Sequence, residues 1–334
     1  MSPIAAKPKR PSRSRRAPVA AKKTAPWKIR RAGGVRILES PTLARVKWLT
    51  HGFSTRPGGV SEIPQPSPGE NGRRARTAAG GALNLGFTDW DARERVLENR
   101  GRFLRGLGAE KMRVVTLRQF HSDVVHLVAE SAGSAANGSP AEAPKADALI
   151  TREPGVLLAV QTADCVPILL ADTKRRAIAA IHSGWRGTLA RIAAKALGRM
   201  KMEFGTRPAD VIAALGSGIG RCCYEVGSDV AREFDAKFAD AREWFDGPFD
   251  ALAAGDNDPN WLPWLTMRPP GHPPPPPRVH LDLMAANRAI LAGAGVPARR
   301  ISASNFCTAC RSDLFFSYRR ERTTGRLMAA IAIR

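Results

Sequence analysis

Histidine is scarce in this 334-residue chain, with six copies, and cysteine and tyrosine number only five and two. Five cysteines, two of them adjacent at Cys222 and Cys223, do not make the even, spaced set of a disulfide framework. No run of 18 or more apolar residues occurs, so no membrane partner is expected. Acid is absent from residues 1–34, which carry 11 Lys or Arg among Pro, Ala and Ser and lack the apolar centre of a signal peptide. So polar a stretch cannot bury enough surface to fold, which predicts a disordered basic tail over 1–34. That tail holds half of the net charge of +22. It would attract polyanions without sequence preference, so no specific nucleic-acid partner is expected. An acid-free, Arg-rich start also suits organellar targeting, while a reducing cytoplasmic compartment is the default expectation.

What remains is a chain of ordinary apolar content, 43% overall, long enough for one large core. Strands are expected at VRILES and ARVKWLTHGFSTR, ending in a turn at Pro57-Gly58-Gly59. A helix is expected after LNLGFTDWD, capped by Asp89 or Asp91, with Val96, Phe103 and Leu104 on its inner face. VVTLRQFHSDVVHLV reads as extended chain, and the nearly continuous apolar runs of GVLLAVQTADCVPILLAD and AIAAIHSGWRG read as buried strands. Helices follow at 188–202, at 227–238 with Ser228 as cap, and at LDLMAANRAILAGAG with Asp282 as cap. GRLMAAIAIR closes the chain as a strand that completes an earlier sheet. The fold class is therefore α/β (α+β), a single domain over 35–334 with a mixed sheet covered by helices. Surface loops are expected near 61–80, 131–145 and 251–279, the last ending in the stiff run Pro273 to Pro277.

With so few histidines, their placement carries information. His121 sits in a strand-like stretch, Cys165 where an apolar run turns polar, and His182 at the exit of the next strand. Imidazole and thiolate bind borderline and soft cations, and three ligands brought from separate strand ends suit a metal with an open fourth position. Asp164, beside Cys165, can act as acid or base or orient a water, or simply form a turn. Asp123, two residues from His121, is placed to orient that ligand, while His126 faces away. Ser183 and Gly184 lie at the strand exit, where the amides of the following helix can hold phosphate and Arg186 can add a bidentate fork. His51 and Arg56 bracket a loop able to bring polar groups to a cleft. Cys307 and Cys310 form a CxxC pair that, without a second pair nearby, reads as two buried thiols. Phe315, Phe316 and Tyr318 read as core or pocket wall.

Taken together, HGFSTRPGG, LNLG, RQFHSD, ADALIT, QTADCVPILL, HSGWRG, IGRCCYEVG, LDLMAANR and FFSYRRERTTGR resemble the YfiH-like, laccase-domain family in order and across everything after the tail. The resemblance implies a metal triad of His121, Cys165 and His182. It implies purine nucleoside phosphorolysis, with adenosine deaminase and methylthioadenosine phosphorylase activities. It further implies a zinc-type metal, copper and polyphenol oxidation having also been attributed to members. Phe120, Ser122, Ser183 and Arg221 depart from the usual motif residues, and Arg221 bears on pocket charge.

The expected partners are thus a purine nucleoside and phosphate, and the sequence leaves the oligomeric state open, a monomer included. Phosphate would attack C1′ with Arg56 or Arg186 neutralising it. Deamination would use the metal's Lewis acidity to ready water for C6 of adenine, with Asp164, Cys165 and His51 as the catalytic groups. Two other classes stay open: a single-copper oxidase, and a thiol hydrolase pairing Cys165 with His182 or His121. A multicopper cluster needs roughly ten histidines by coordination arithmetic, more than the chain contains.

Overall fold

The computed structural model describes residues 26–64, 81–129, 143–247 and 279–334. The Pro273 to Pro277 run, His272, residues 1–25 of the tail and most of the three expected loops lie outside the described residues.

The chain begins with β1 (Lys28–Ala32), β2 (Val35–Glu39), β3 (Leu49–Ser54), β4 (Pro57–Gly59) and β5 (Gly81–Ala82). Helix α1 (Arg93–Leu107) leads to β6 (Arg113–Val115), β7 (Val125–Leu127), β8 (Ala148–Thr151), β9 (Val156–Thr162), β10 (Val166–Asp172) and β11 (Ala177–Ser183). Then come α2 (Trp185–Leu189), α3 (Ile192–Phe204), β12 (Val211–Leu215), β13 (Glu225–Val226), α4 (Ser228–Lys237) and β14 (Phe245–Asp246). The last elements are β15 (Val279–Leu281), α5 (Leu283–Gly293), β16 (Ile301–Ala303), α6 (Tyr318–Glu321) and β17 (Leu327–Ile333).

Two six-stranded mixed sheets form the centre, ordered β1-β2-β3-β17-β9-β6 and β16-β12-β10-β11-β8-β7. Each is antiparallel internally and gains parallel pairs at its edges, β6 with β9 in the first and both β12 with β16 and β7 with β8 in the second. The sheets face one another: Leu158, Val160 and Ile331 of the first share a core with Leu169, Ile178 and Ala214 of the second. The alternate residues of the same strands point outward. Leu157, Ala159 and Ala330 meet Phe103 and Leu107 of α1, while Ile168, Leu170 and Ile181 meet Leu197 of α3, Phe234 of α4 and Ile290 of α5. Both faces of these strands are therefore covered, which is why their sequences are apolar throughout instead of alternating. The fold is a mixed-sheet α/β domain as expected, but its centre is two face-to-face sheets between outer helical layers.

Several local expectations shift. Residues 28–32, assigned to the tail, pair with Val35 to Glu39 as an edge strand, because a Gly33-Gly34 turn with positive φ at both residues returns the chain. Pro57 to Gly59 is not a free turn but a short strand paired with β5. Helix α1 begins after Ala92 without a side-chain cap, since Asp91 instead accepts from Ser61 and Asn84, at 2.5 and 2.7 Å. Ser228 likewise is the first residue of α4, not its cap. The helix expected at 188–202 is two helices, broken at Ala190 and a left-handed Arg191. Asp282 does cap α5, accepting from the Ala285 amide at 2.8 Å.

Candidate metal centre and its cavity

The chain crosses from the first sheet to the second between β9 and β10, and the turn that makes this crossing carries Asp164 and Cys165. His182 lies near the end of β11, paired in register with Pro167 of β10, so it stands beside that turn. His121 is not in a strand. It sits in the irregular segment between β6 and β7 with a φ of 63°, a left-handed conformation that a non-glycine residue holds only with support.

The support is Asp147. Its buried carboxylate accepts from the amides of Phe120, His121 and Ser122 at 3.3, 3.1 and 2.7 Å, and from the Ser122 hydroxyl at 2.7 Å. Three successive amides converging on one anion form a nest, and the left-handed residue is what turns them inward. The same carboxylate accepts from Nδ1 of His182 at 2.8 Å. That bond fixes the ring and leaves Nε2 directed away from Asp147. Asp123, expected in the orienting role, is ion-paired with Lys195 on α3 instead. The segment is looped, so the two-residue strand spacing that would place Asp123 beside His121 does not apply.

His121, Cys165 and His182 bring their donor atoms within 4.8 Å of one another, with Cys165 Sγ 3.8 Å from His121 Nε2. One thiolate and two imidazoles, one backed by a carboxylate, are a donor set that fits a zinc-type cation with a fourth position open to the cavity. Burial opposes ionisation of the Cys165 thiol, yet His182 and then His121 outweigh it and bring it down to about 6. Burial also opposes charge on His182, but Cys165 and Asp147 raise it to about 9. Each group thus favours the charged form of the other, and a bound zinc-type cation would supply the positive charge beside the thiolate in place of the imidazolium.

Gly184 completes the close approach. A Cβ there would lie 2.9 Å from Cys165 Sγ and 3.1 Å from His121 Cδ2, so any side chain would displace the ligands.

The triad opens into a cavity of about 740 Å³. Among the described residues six arginines line it, Arg100, Arg118, Arg186, Arg319, Arg322 and Arg326, against one carboxylate, Asp164. Phe87, Trp185, Tyr224 and Tyr318 supply aromatic faces. Arg186 lies 4.4 Å over Trp185 and Arg319 lies 5.2 Å over Tyr224, so the cations are held against rings at the wall. Burial pushes the Tyr224 hydroxyl well above its ordinary range, which keeps it a hydrogen-bond donor.

Of the remaining residues expected at the site, Arg186 and Asp164 line the cavity, while Ser183, His51 and Arg56 do not. Ser183 follows His182 on β11, so strand alternation turns it to the opposite side. There its hydroxyl bonds Thr188 and Asn287, at 3.0 and 2.9 Å. His51 lies on β3, level with Ile331 and thus with Leu158, well back from the Thr162 end of β9. Its Nε2 accepts from the Ser40 amide at 3.0 Å. Arg56 is buried in an ion pair with Glu321, donates to the Ser312 carbonyl at 3.1 Å and lies over Phe316. Asp164 does line the cavity, but its two oxygens accept from Thr308 Oγ1 at 2.7 Å and from the Arg319 amide at 2.6 Å. Both carboxylate oxygens are thus engaged, one of them by the segment that carries Arg319. Phe315 and Phe316 are fully buried, and Tyr318 faces the cavity, as expected of core and wall.

Comparison with known proteins follows the same outline. The family model for multi-copper polyphenol oxidoreductase laccase matches residues 50–334. The chain belongs to this family. It is 36% identical over 308 residues to a purine nucleoside phosphorylase of Deinococcus radiodurans, covering 90% of this chain and 94% of that one. It is 34% identical over 227 residues to adenosine deaminase RL5 of an unknown prokaryote, covering 68% and 77%. Among solved structures it resembles the hypothetical protein YfiH of Bacillus licheniformis, with a TM-score of 0.71, 29% identity, and coverage of 91% and 97%. It also resembles YlmD of Geobacillus stearothermophilus, with a TM-score of 0.69, 30% identity, and coverage of 92% and 100%. The YfiH-like fold and a relationship to purine nucleoside phosphorylases are thus established for the chain. Among the described residues no helix is long and apolar enough to cross a membrane.

Proposed function

We propose that the chain is a purine nucleoside phosphorylase that also deaminates adenosine, working at the cavity over His121, Cys165 and His182. The observation that carries this reading is the joint presence, in one cavity, of a metal-capable triad, six arginines and four aromatic faces. A purine needs a flat apolar face, and a phosphate needs fixed guanidinium groups.

In phosphorolysis a phosphate oxygen forms the bond to C1′ while the bond from C1′ to the purine nitrogen breaks, its electron pair leaving with the base. Arg186, Arg319, Arg322 and Arg326 hold and neutralise the phosphate, replacing Arg56 in the role expected from the sequence. Trp185 and Tyr318 stack the base, and the protonated Tyr224 hydroxyl, its ring backed by Arg319, donates a hydrogen bond to the departing purine. Asp164 and Thr308 hold Arg319 in place. The triad fits Zn2+, with Cu2+ as the competing occupant, and the bound ion would supply Lewis acidity for activating water in deamination. His182, fixed by Asp147, and His121, fixed by its amide in the nest, keep the donor set facing the substrate.

The family's laccase label favours oxidation as the second reading. The described histidines outside the triad, His51, His126 and His280, lie on β3, β7 and β15 and join no second metal-capable grouping. Among the described residues the triad is therefore the one histidine-containing metal grouping, a mononuclear one.

The test is product analysis with adenosine on zinc-loaded protein, with and without phosphate. Adenine and ribose 1-phosphate appearing only with phosphate are expected, with inosine as the deamination product. Neither product, together with oxygen uptake on a phenol by copper-loaded protein, would overturn the proposal.

A further inference from the structure

The CxxC pair expected to be two buried thiols for want of a second pair nearby has such a pair beside it, and Cys310 is exposed. The turn after β12 brings Cys222 and Cys223 against Cys307 and Cys310, and the four sulfur atoms all lie within 4.8 Å of one another. Cys310 Sγ is 3.5 Å from Cys222 Sγ and 3.4 Å from Cys223 Sγ. Four thiolates around a zinc-type cation at about 2.3 Å define a tetrahedron with edges of about 3.8 Å, so these sulfurs already stand near ligand spacing. We propose that Cys222, Cys223, Cys307 and Cys310 form a second metal site, a tetrathiolate centre for a zinc-type divalent cation, sharing no residue with the His121, Cys165 and His182 triad.

The backbone prepares the site. The amides of Cys223 and Tyr224 both donate to the Gly220 carbonyl, at 2.9 and 3.0 Å, which coils the first pair into a tight turn. The Arg311 amide closes the second turn onto the Cys307 carbonyl at 3.0 Å, and the Thr308 amide joins the two turns through the Gly218 carbonyl at 3.0 Å. Gly220 donates its amide to Cys307 Sγ at 3.1 Å, the kind of bond that stabilises a metal-bound thiolate. A Cβ on Gly220 would lie 3.1 Å from Cys307 Cβ and 3.2 Å from Cys222 Sγ, so glycine is what lets the backbone close over the sulfurs. Cys222 and Cys310 are exposed, which leaves a route for the cation, while Cys223 and Cys307 are half-buried. Two positive charges offset half of the four thiolate charges, and Arg221 and Arg311 adjoin the cysteines in the sequence.

This centre would brace the wall of the cavity. Tyr224, directly after Cys223, is a cavity residue. Thr308, directly after Cys307, donates to the carboxylate of Asp164, the neighbour of Cys165. A cation joining the two turns therefore fixes both the aromatic wall and the tether of the crossing turn. Structural tetrathiolate zinc contributes directly to folding stability in such cases.

The decisive protein is the full chain carrying Cys165→Ala, which disables the triad and leaves the tetrad untouched. Expressed with zinc and purified under reducing conditions, it should retain one zinc per chain. X-ray absorption should show four sulfur neighbours at about 2.3 Å, and chelation should lower its thermal midpoint. Cys310→Ser and Cys223→Ser, made in the otherwise native chain, should each lose one of two zinc equivalents and keep the other. A Cys165→Ala protein that binds no zinc even after dialysis against it, or binds it through nitrogen and oxygen, overturns the site. So does an intact mass two protons light under native purification, which would place a disulfide among the four cysteines.

Discussion

Asp147 accepts a hydrogen bond from His182 Nδ1 at 2.8 Å while the rest of its carboxylate gathers the amides on either side of His121. One buried anion thus positions two of the three candidate ligands, which come from different segments of the chain. Burial opposes its ionisation, but His182 and Ser122 hold it down to about 2. Asp147→Asn keeps the shape and one acceptor oxygen but turns the other into a donor facing donors. Metal affinity should fall about 10- to 100-fold, read by competition with a chromophoric chelator, with the fold retained by circular dichroism. Unchanged affinity would remove Asp147 from the site.

Gly184→Ala puts a methyl within 3 Å of Cys165 Sγ. The ligands must move apart, and misplacement of about an ångström at a reacting centre costs on the order of 100-fold in rate. Metal content and kcat/KM should fall together, whereas Gly198→Ala, which meets nothing within 4 Å on the same side of the sheet, should leave both unchanged.

Asp164 separates a tether from a base. Removal of a general base costs about 100- to 10,000-fold and abolishes one limb of the pH profile. If Asp164 holds Thr308 and the Arg319 amide, Asp164→Asn and Thr308→Val should instead give similar modest losses and raise the phosphate KM. The pH profile of kcat should keep its shape in both variants.

Arg56 and Arg186 should part company. Arg56→Ala leaves the buried Glu321 without its partner and should cost about 3 to 5 kcal/mol of stability. Arg186 is exposed at the cavity, so Arg186→Ala should leave stability within about 0.5 kcal/mol and raise the phosphate KM. Urea unfolding and phosphate saturation curves measure the two effects separately.

His51 offers a pH test of the core. Burial lowers it from 6.5 to about 4 against the Ser40 bond, so the unfolded chain takes up the proton first as pH falls. Stability should therefore decline between about pH 6.5 and 4, by about 3 kcal/mol in all from this group. His51→Gln, which can still accept from the Ser40 amide, should flatten that part of the urea midpoint against pH while leaving phosphorolysis unchanged at neutral pH.

The strands around the site, their burial and the triad itself were legible because each leaves a local mark. Apolar runs in β9, β10, β11 and β17 announce burial on both faces, and rare residues stand out, Cys165 and His182 at strand ends and His121 in the segment between β6 and β7. The direction in which a side chain points depends on whether its segment keeps regular geometry, which the local sequence does not show. Asp123 would orient His121 only in a strand, and Ser183 would face phosphate only if β11 did not alternate. Arg56 carries the same charge as Arg319, and nothing in its own neighbourhood distinguishes a buried ion pair from a phosphate clamp.

By itself the sequence determined the fold class, the family and the identity of the metal-capable triad, since periodicity, composition and motif order are properties of the chain alone. Only the tertiary structure decided that Asp147 orients His182, that Asp164 is engaged by Thr308 and Arg319, and that two distant cysteine pairs converge. Those relationships join residues far apart along the chain. Hydrogen bonds and metal coordination act over about 3 Å, a proximity that only the packed sheets and their connecting turns create.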